Sequence, residues 1–292
     1  MENITEKKKI NVFGMDIWKI FAYFITFCIA GFLLETMYAF VTKGTVESRR
    51  GFVYGPFCPI YGLGGVVMAV FLQYFKKNNF TIFLGGALIG SIVEYLISFI
   101  GEYVFNVKWW DYSYMTFHIN GRICLVYSII WGLLSIPFMK FICEYIDNFI
   151  EIIEKRWGTV RFKKVTAMIM FFLLVDGIAT VFALRIFSDR LVYTYDLDVA
   201  NKDEVVAEYE RIVSNDKIKY VTEKLFSNEK MLRTYPNLTI GKQDGTTVYV
   251  SSLVTTVTPY YYKLKPSDET IMYKLSKIRE KIMSGELFDR GK

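Results

Sequence analysis

The sequence lacks clustered histidines, paired cysteines and the short catalytic signatures of common enzymes, and each absence removes a class of function. His118 is the only histidine, and no group of Cys or His accompanies it, so the usual zinc ligand sets are missing. Cys28, Cys58, Cys124 and Cys143 stand singly in or beside apolar runs, with neither a CxxC pair nor a disulfide framework, and are expected to be packed, reduced thiols. There is no GxxxxGK[ST] loop, which argues against ATP hydrolysis by the chain itself, and no GxSxG or HExxH. Neither an internal repeat nor a low-complexity tract is visible. These absences point away from intrinsic catalysis, and no metal or cofactor is expected.

What the sequence has in abundance is apolar surface, at 53% of its 292 residues. Up to about residue 187, long apolar runs alternate with short polar loops, whereas residues 188–292 carry charges every few positions and contain no run of membrane length. Crossing the hydrocarbon core takes roughly 20 helical residues. Five segments meet or approach that length: 18–40, 57–75, 80–103, 123–143 and 165–187. The expected fold is an all-α membrane bundle of about five transmembrane helices in a domain of residues 1–187, followed by a small water-exposed α+β domain over 188–292. The first run, Trp18 to Phe40, is too long for the apolar core of a cleavable signal and is read as an anchor. The second contains Pro59, Gly62, Gly64 and Gly65 and follows Pro56, so its outer part is expected to be irregular or re-entrant.

A net charge of +6 would suggest nucleic acid in a soluble protein, but much of the excess flanks apolar spans, and no nucleic-acid partner is expected. Lys7, Lys8, Lys9, Lys76, Lys77, Lys155, Arg156, Arg161, Lys163 and Lys164 fall on one side of the five-span topology. Lys43, Arg49, Arg50, Lys108 and Arg122 fall on the other. The imbalance favours a cytoplasmic N-terminus and an extracytoplasmic C-terminal domain in an inner (cell) membrane, and one span more or fewer would reverse the second conclusion. Between the last two spans, Ile146, Phe149, Ile150, Ile153 and Trp157 recur at helical spacing. They describe an amphipathic helix within 144–164, read either as an interfacial anchor or as a docking element for a separate cytoplasmic ATPase subunit. The C-terminal region reads as helices at about 201–213 and 216–232, a hairpin at about 237–263 with an Asp-Gly turn, and a helix at about 267–284.

Charged side chains within a span cost several kcal/mol unless paired or wetted, which singles out Glu35, Glu94, Asp176 and Arg185. Counting 1.5 Å per residue from a cytoplasmic N-terminus puts Glu35 and Glu94 in the outer half of the bilayer, near Arg122. Gly86, Gly90 and Glu94 follow one another at intervals of four, so small residues and the acid share a helix face that a neighbour can approach closely. Two readings follow for Glu94: a buried pair with Arg122 that fixes packing, or a site for a polar or cationic solute. Asp176, with Thr180 one turn later, is read as a helix–helix hydrogen bond or a proton relay, and Arg185 as snorkelling. The 49–65 segment joins Arg49 and Arg50 to glycines and prolines and suits either an anion cradle or a tight packing turn. In the loop after the third span, Trp109, Trp110 and Tyr112 suit an aromatic belt, with Asp111 and Arg122 as its charged members.

Four strings, GFVYGPFCPIYGLGG at 51–65, WDYS at 110–113, INGRICLVYSIIWG at 119–132 and MLRTYPNL at 231–238, together resemble the bacterial Putative ABC-transporter type IV proteins, the CmpB-type family. The resemblance covers roughly residues 18–240 and implies a multi-span, permease-like transporter component in the bacterial cell membrane. The chain carries no ATPase domain of its own and no EAA-type coupling motif in its inner loops. Taken together, the residues favour a permease-like subunit in the lipid bilayer with a polar cavity in the outer half of the membrane. The substrate-binding candidates are Glu35, Arg49, Arg50, Glu94, Asp111 and Arg122, with Asp176 as a proton relay. Two other readings stay open: a membrane enzyme acting on lipid or isoprenoid-phosphate head groups, with Glu94 as acid or base, and a non-catalytic sensor or assembly factor.

Overall fold

The computed structural model describes residues 10–105, 110–263 and Lys277. The helix expected at about 267–284, apart from Lys277, the lysines at 7–9, and Lys108 and Trp109 lie outside them.

The described residues form an all-α bundle of long apolar helices with only small strands. After a two-stranded ribbon, β1 (Asn11–Val12) with β2 (Met15–Asp16), comes α1 (Ile17–Lys43), then β3 (Thr45–Val46) and α2 (Pro59–Leu72). A 3₁₀ turn over Gln73–Phe75 leads to α3 (Asn79–Phe105), and a small ribbon of β4 (His118–Ile119) with β5 (Ile123–Cys124) to α4 (Leu125–Pro137). A π turn over Phe138–Ile142 joins α4 to α5 (Cys143–Trp157), which Gly158 separates from the 37-residue α6 (Thr159–Tyr195).

Among the described residues, four helical stretches are long and apolar enough to cross a membrane: Ile17–Val41, Asn79–Tyr103, Leu125–Trp157 and Thr159–Tyr195. The expected second span appears as a shorter apolar helix over Pro59–Phe75. Its glycines do not break it. Pro59 opens the helix at a position where its missing N–H costs nothing. Gly62 lies against Phe24 and Cys28, and Gly65 against Phe27, so both serve close approach to α1. The amphipathic segment after the fourth span is α5, which continues α4 through the π turn as one 33-residue helical stretch. Pro137 explains the irregularity, since it cannot donate an intrahelical hydrogen bond.

The chain forms two compact units, one of Met1–Ala30 with Phe57–Ile178, the other of Gly31–Pro56 with Ala179–Lys292. In the first, a core forms around Tyr23, Met68, Leu72, Ile82, Met139, Ile146 and Ile150. The Tyr23 hydroxyl lies 2.6 Å from Asp147 Oδ1 and 2.9 Å from the Cys143 carbonyl, and Lys19 completes the group through its ion pair with Asp147 at 2.8 Å. α3 leaves Leu84, Leu88, Ile92 and Leu96, spaced by four, on its exposed face, as expected of a helix lined by lipid.

In the second unit, α6 carries Ala183, Ile186, Phe187 and Leu191 into a core with Met231, Leu232, Ile240 and Val250. α6 leads into α7 (Lys202–Val213), α8 (Asp216–Leu225) and α9 (Asn228–Thr234). The single helix expected at 216–232 is thus two, because Ser227 accepts a hydrogen bond from the Lys230 amide and starts α9 afresh. The hairpin is also shorter than expected. β6 (Thr239–Gly241) pairs with β7 (Thr247–Tyr249), one turn of helix, α10 (Val250–Leu253), follows, and β8 (Tyr262–Lys263) pairs antiparallel with β3 instead.

Candidate functional site

The α3–α4 seam sets the geometry of the first unit. A Cβ added at Gly90 would lie 2.6 Å from the Trp131 ring, and one at Gly86 would collide with Ser135, so the backbones meet where side chains are absent. Ser91 and Ser128 hydroxyls bridge the same seam at 2.7 Å. Glu94, one turn beyond Gly90, consequently faces α4 and is 8% exposed. Its two oxygens accept from two neutral donors, the Tyr112 hydroxyl at 2.8 Å and the Trp131 indole at 3.1 Å. Among the described residues, no cation lies within ion-pair distance of Glu94.

Arg122 has other partners. It pairs with Glu102 on the last turns of α3, and its guanidinium lies 5.8 Å from the centre of the Tyr95 ring and 5.5 Å from that of Phe99. The loop that supplies these groups is folded on itself. The Tyr112 amide donates to the Gly121 carbonyl at 2.7 Å, and the Trp110 indole donates to the Arg122 carbonyl at 2.9 Å. Gly121 has φ +67° and sits so close to Asp111 and Ser113 that a Cβ would lie 2.5 Å from each, which leaves glycine as the fitting residue. Asp111 closes this turn, accepting from the Ser113 amide at 2.9 Å and hydroxyl at 2.5 Å. Tyr112 stacks on Tyr127 of α4, with ring centres 4.6 Å apart. Burial, followed by the hydrogen bond to Glu94, raises the Tyr112 pKa above its ordinary value, so its hydroxyl stays neutral and donates.

Of the remaining candidates, Asp176 is buried in α6 within the first unit. Glu35, Arg49 and Arg50 belong to the second. Glu35 is half-buried on α1. Arg49 pairs at 2.6 Å with Glu47, a buried carboxylate that also meets Lys43 at 3.1 Å and the Asn237 amide at 3.5 Å. Arg50 turns onto the Ser48 hydroxyl at 3.0 Å and the Val53 carbonyl at 3.3 Å. The Tyr235 hydroxyl donates to the Gly51 carbonyl and Lys230 to the Tyr54 hydroxyl, so residues 230–237 hold the 47–54 segment in place. Both arginines therefore serve internal partners, and Arg185 forms an ion pair with Glu208 of α7.

The candidates thus fall into two groups: Glu94, Asp111 and Arg122 around the α3–α4 seam, and Arg49 and Arg50 around Glu47. Residues that sequence reasoning passed over complete each group. Glu102 and Glu47 lie at a span end and in a loop, where acids attract no notice, and Trp131 reads as ordinary apolar bulk. The repetition of small residues at 86 and 90 was the available signal for Trp131, because it requires a large partner opposite.

A family model described as Putative ABC-transporter type IV matches residues 22–181. The chain belongs to this family. The matched stretch contains α2, the α3–α4 seam and the Trp110–Cys124 loop, so the Putative ABC-transporter type IV region includes Glu94 with both of its donors. The MLRTYPNL string lies beyond it. No curated protein and no solved structure matches the chain.

Proposed function

We propose that the protein is a permease-like component of a membrane transporter in which Glu94 presents its carboxyl to a polar or cationic solute entering from the outer half of the bilayer. Membership of a transporter-related family and a multi-pass helical bundle support the general reading. The observation that carries the specific one is the set of groups around Glu94. A carboxyl within a membrane-length helix costs several kcal/mol when charged, and here it is met by an aromatic hydroxyl and an indole in place of a fixed cation. Two neutral hydrogen bonds, at about 1.5–3 kcal/mol each to a charged group, offset that cost without neutralising the charge. Such a group attracts a mobile cation or a polar solute where a structural salt bridge would not. Asp111 and Arg122 shape the loop over this end of the α3–α4 seam, and Asp176 of α6 is the candidate proton relay.

Energy comes from a separate ATPase subunit or from an ion gradient, and α5 is the element for an ATPase to dock on. Its buried face carries Ile146 and Ile150, whereas Tyr145, Phe149 and Ile152 form a second, exposed apolar row. The test is charge displacement across proteoliposomes holding the full chain, after concentration jumps of sodium, potassium, ammonium or choline. A transient for at least one of them that disappears in Glu94→Gln is expected. Absence of any transient in the wild type, or an undiminished one in the variant, would overturn the reading.

A further inference from the structure

The β3–β8 pairing fixes the level of a C-terminal segment against the end of a membrane span. The apolar stretch Ile17–Val41 of α1 has 25 residues. At 1.5 Å each it is about 37 Å long. That exceeds the roughly 30 Å hydrocarbon core by about 7 Å, so Lys43 stands among head groups. Gly44, with φ +64°, then turns the chain into β3. In the antiparallel pair, Thr45 faces Lys263 and Val46 faces Tyr262, and the Tyr261 amide donates to the Val46 carbonyl at 2.8 Å. Paired strands lie about 5 Å apart. Residues 261–263 consequently stand at nearly the depth of residues 45–46, next to the end of the apolar stretch.

The side chains at this level suit a lipid boundary. Tyr261 and Tyr262 are 56% and 57% exposed, and Lys263 is exposed beside them, with its ammonium 6.0 Å from the Tyr260 ring centre. Exposed tyrosine next to lysine is poorly placed in plain water but well placed where rings reach the acyl boundary, hydroxyls reach water and the ammonium reaches lipid phosphate. We propose that Tyr261, Tyr262 and Lys263 form an interfacial foot, through which the C-terminal region binds the phospholipid head groups of the bilayer that α1 leaves. The occupant is the bilayer surface itself, because the strand pairing is continuous with a membrane-spanning helix and the one cation of the foot complements phosphate.

The test uses the full chain in nanodiscs, with the photo-crosslinker p-benzoylphenylalanine replacing Tyr261, Tyr262 or, as a reference, the exposed Tyr220 of α8. After irradiation, phospholipid adducts at Tyr261 and Tyr262 should exceed those at Tyr220. In nanodiscs with equal phosphatidylglycerol and phosphatidylcholine, adducts at Tyr262 should be enriched in phosphatidylglycerol, and Lys263→Glu should lower that enrichment about fivefold or more, the worth of one basic charge at an anionic surface. Adducts at Tyr261 and Tyr262 no more frequent than at Tyr220, or crosslinks to protein alone, would overturn the proposal. Lipid adducts whose composition Lys263→Glu leaves unchanged would overturn the role of the lysine.

Discussion

Replacing Glu94 by leucine separates a structural carboxyl from a working one. The substitution deletes the acceptor of the Trp131 indole at 3.1 Å and of the Tyr112 hydroxyl at 2.8 Å. Trp131 sits in the α3–α4 seam, where its N–H finds no substitute, at a loss of about 1–3 kcal/mol. Tyr112 is half-buried on a loop and can turn to water, so its loss is nearer 0.5–1.5 kcal/mol. Against these stands relief of about 2.5–3.5 kcal/mol from removing an ionisable group from a span. The sum is small, and Glu94→Leu should unfold within about 2 kcal/mol of wild type in lipid nanodiscs, read by thermal and denaturant unfolding. Its cation-dependent charge displacement should nevertheless be lost. A destabilisation above about 4 kcal/mol would refute the reasoning, since it would make Glu94 a packing element. So would a Glu94→Leu variant that still moves charge.

Other perturbations follow from the same contacts. Gly90→Val should separate α3 from α4 and lower stability by about 1–3 kcal/mol, whereas Gly64→Ala, with open space at its Cβ, should be silent in the same unfolding assay. Glu47→Ala should cost about 3 kcal/mol by stranding Lys43 and Arg49, and a cycle with Arg49→Ala should show the two losses to be strongly non-additive. Tyr145→Glu with Phe149→Glu on the exposed row of α5 should leave folding intact, as judged by size-exclusion profile and unfolding midpoint, while abolishing co-purification with an ATPase subunit expressed alongside.

Local patterns predicted well where the cause was local. Long apolar runs fixed the bundle, because a helix surrounded by lipid must satisfy its backbone within one segment, and the four-residue spacing of Gly86, Gly90 and Glu94 identified the contact face of α3. The partners were another matter. Arg122 suits Glu94 by opposite charge at similar depth, yet it lies with Glu102, on the face of α3 that carries Tyr95 and Phe99. Glu94 instead receives Tyr112 from a loop 18 residues away, a contact that depends on the positive φ at Gly121 and the turn at Asp111. Alternation puts residues 262–263 in the hairpin because it specifies a strand without naming its neighbour, whereas the partner of β8 lies more than 200 residues earlier in the chain.

The same long-range pairing bears on how many times the chain crosses the bilayer. β3 follows α1 directly, β8 lies far beyond α6, and the two are hydrogen-bonded. Glu47 meets Asn237, and the Val53 amide donates to Thr180 of α6 at 2.9 Å. The end of α1 and the region after α6 must therefore share one face of the membrane. If the four long helices were the only crossings, α1 and α6 would run in opposite directions and their ends would open on opposite faces. One more crossing restores the parity, and α2 with its 3₁₀ turn is the element between α1 and α3 able to supply it. That element is 14 α-helical and 3 further residues long, about 27 Å, slightly short of the usual core and within what local thinning accommodates. Cysteines placed at Lys77, after α2, and at Asp244, in the hairpin turn, should accordingly react with a membrane-impermeant maleimide from opposite sides of sealed vesicles, and one at Arg50 from the same side as Asp244. Labelling of Lys77 and Asp244 from one side would mean that α2 turns back within the membrane, and the five-crossing topology would be wrong.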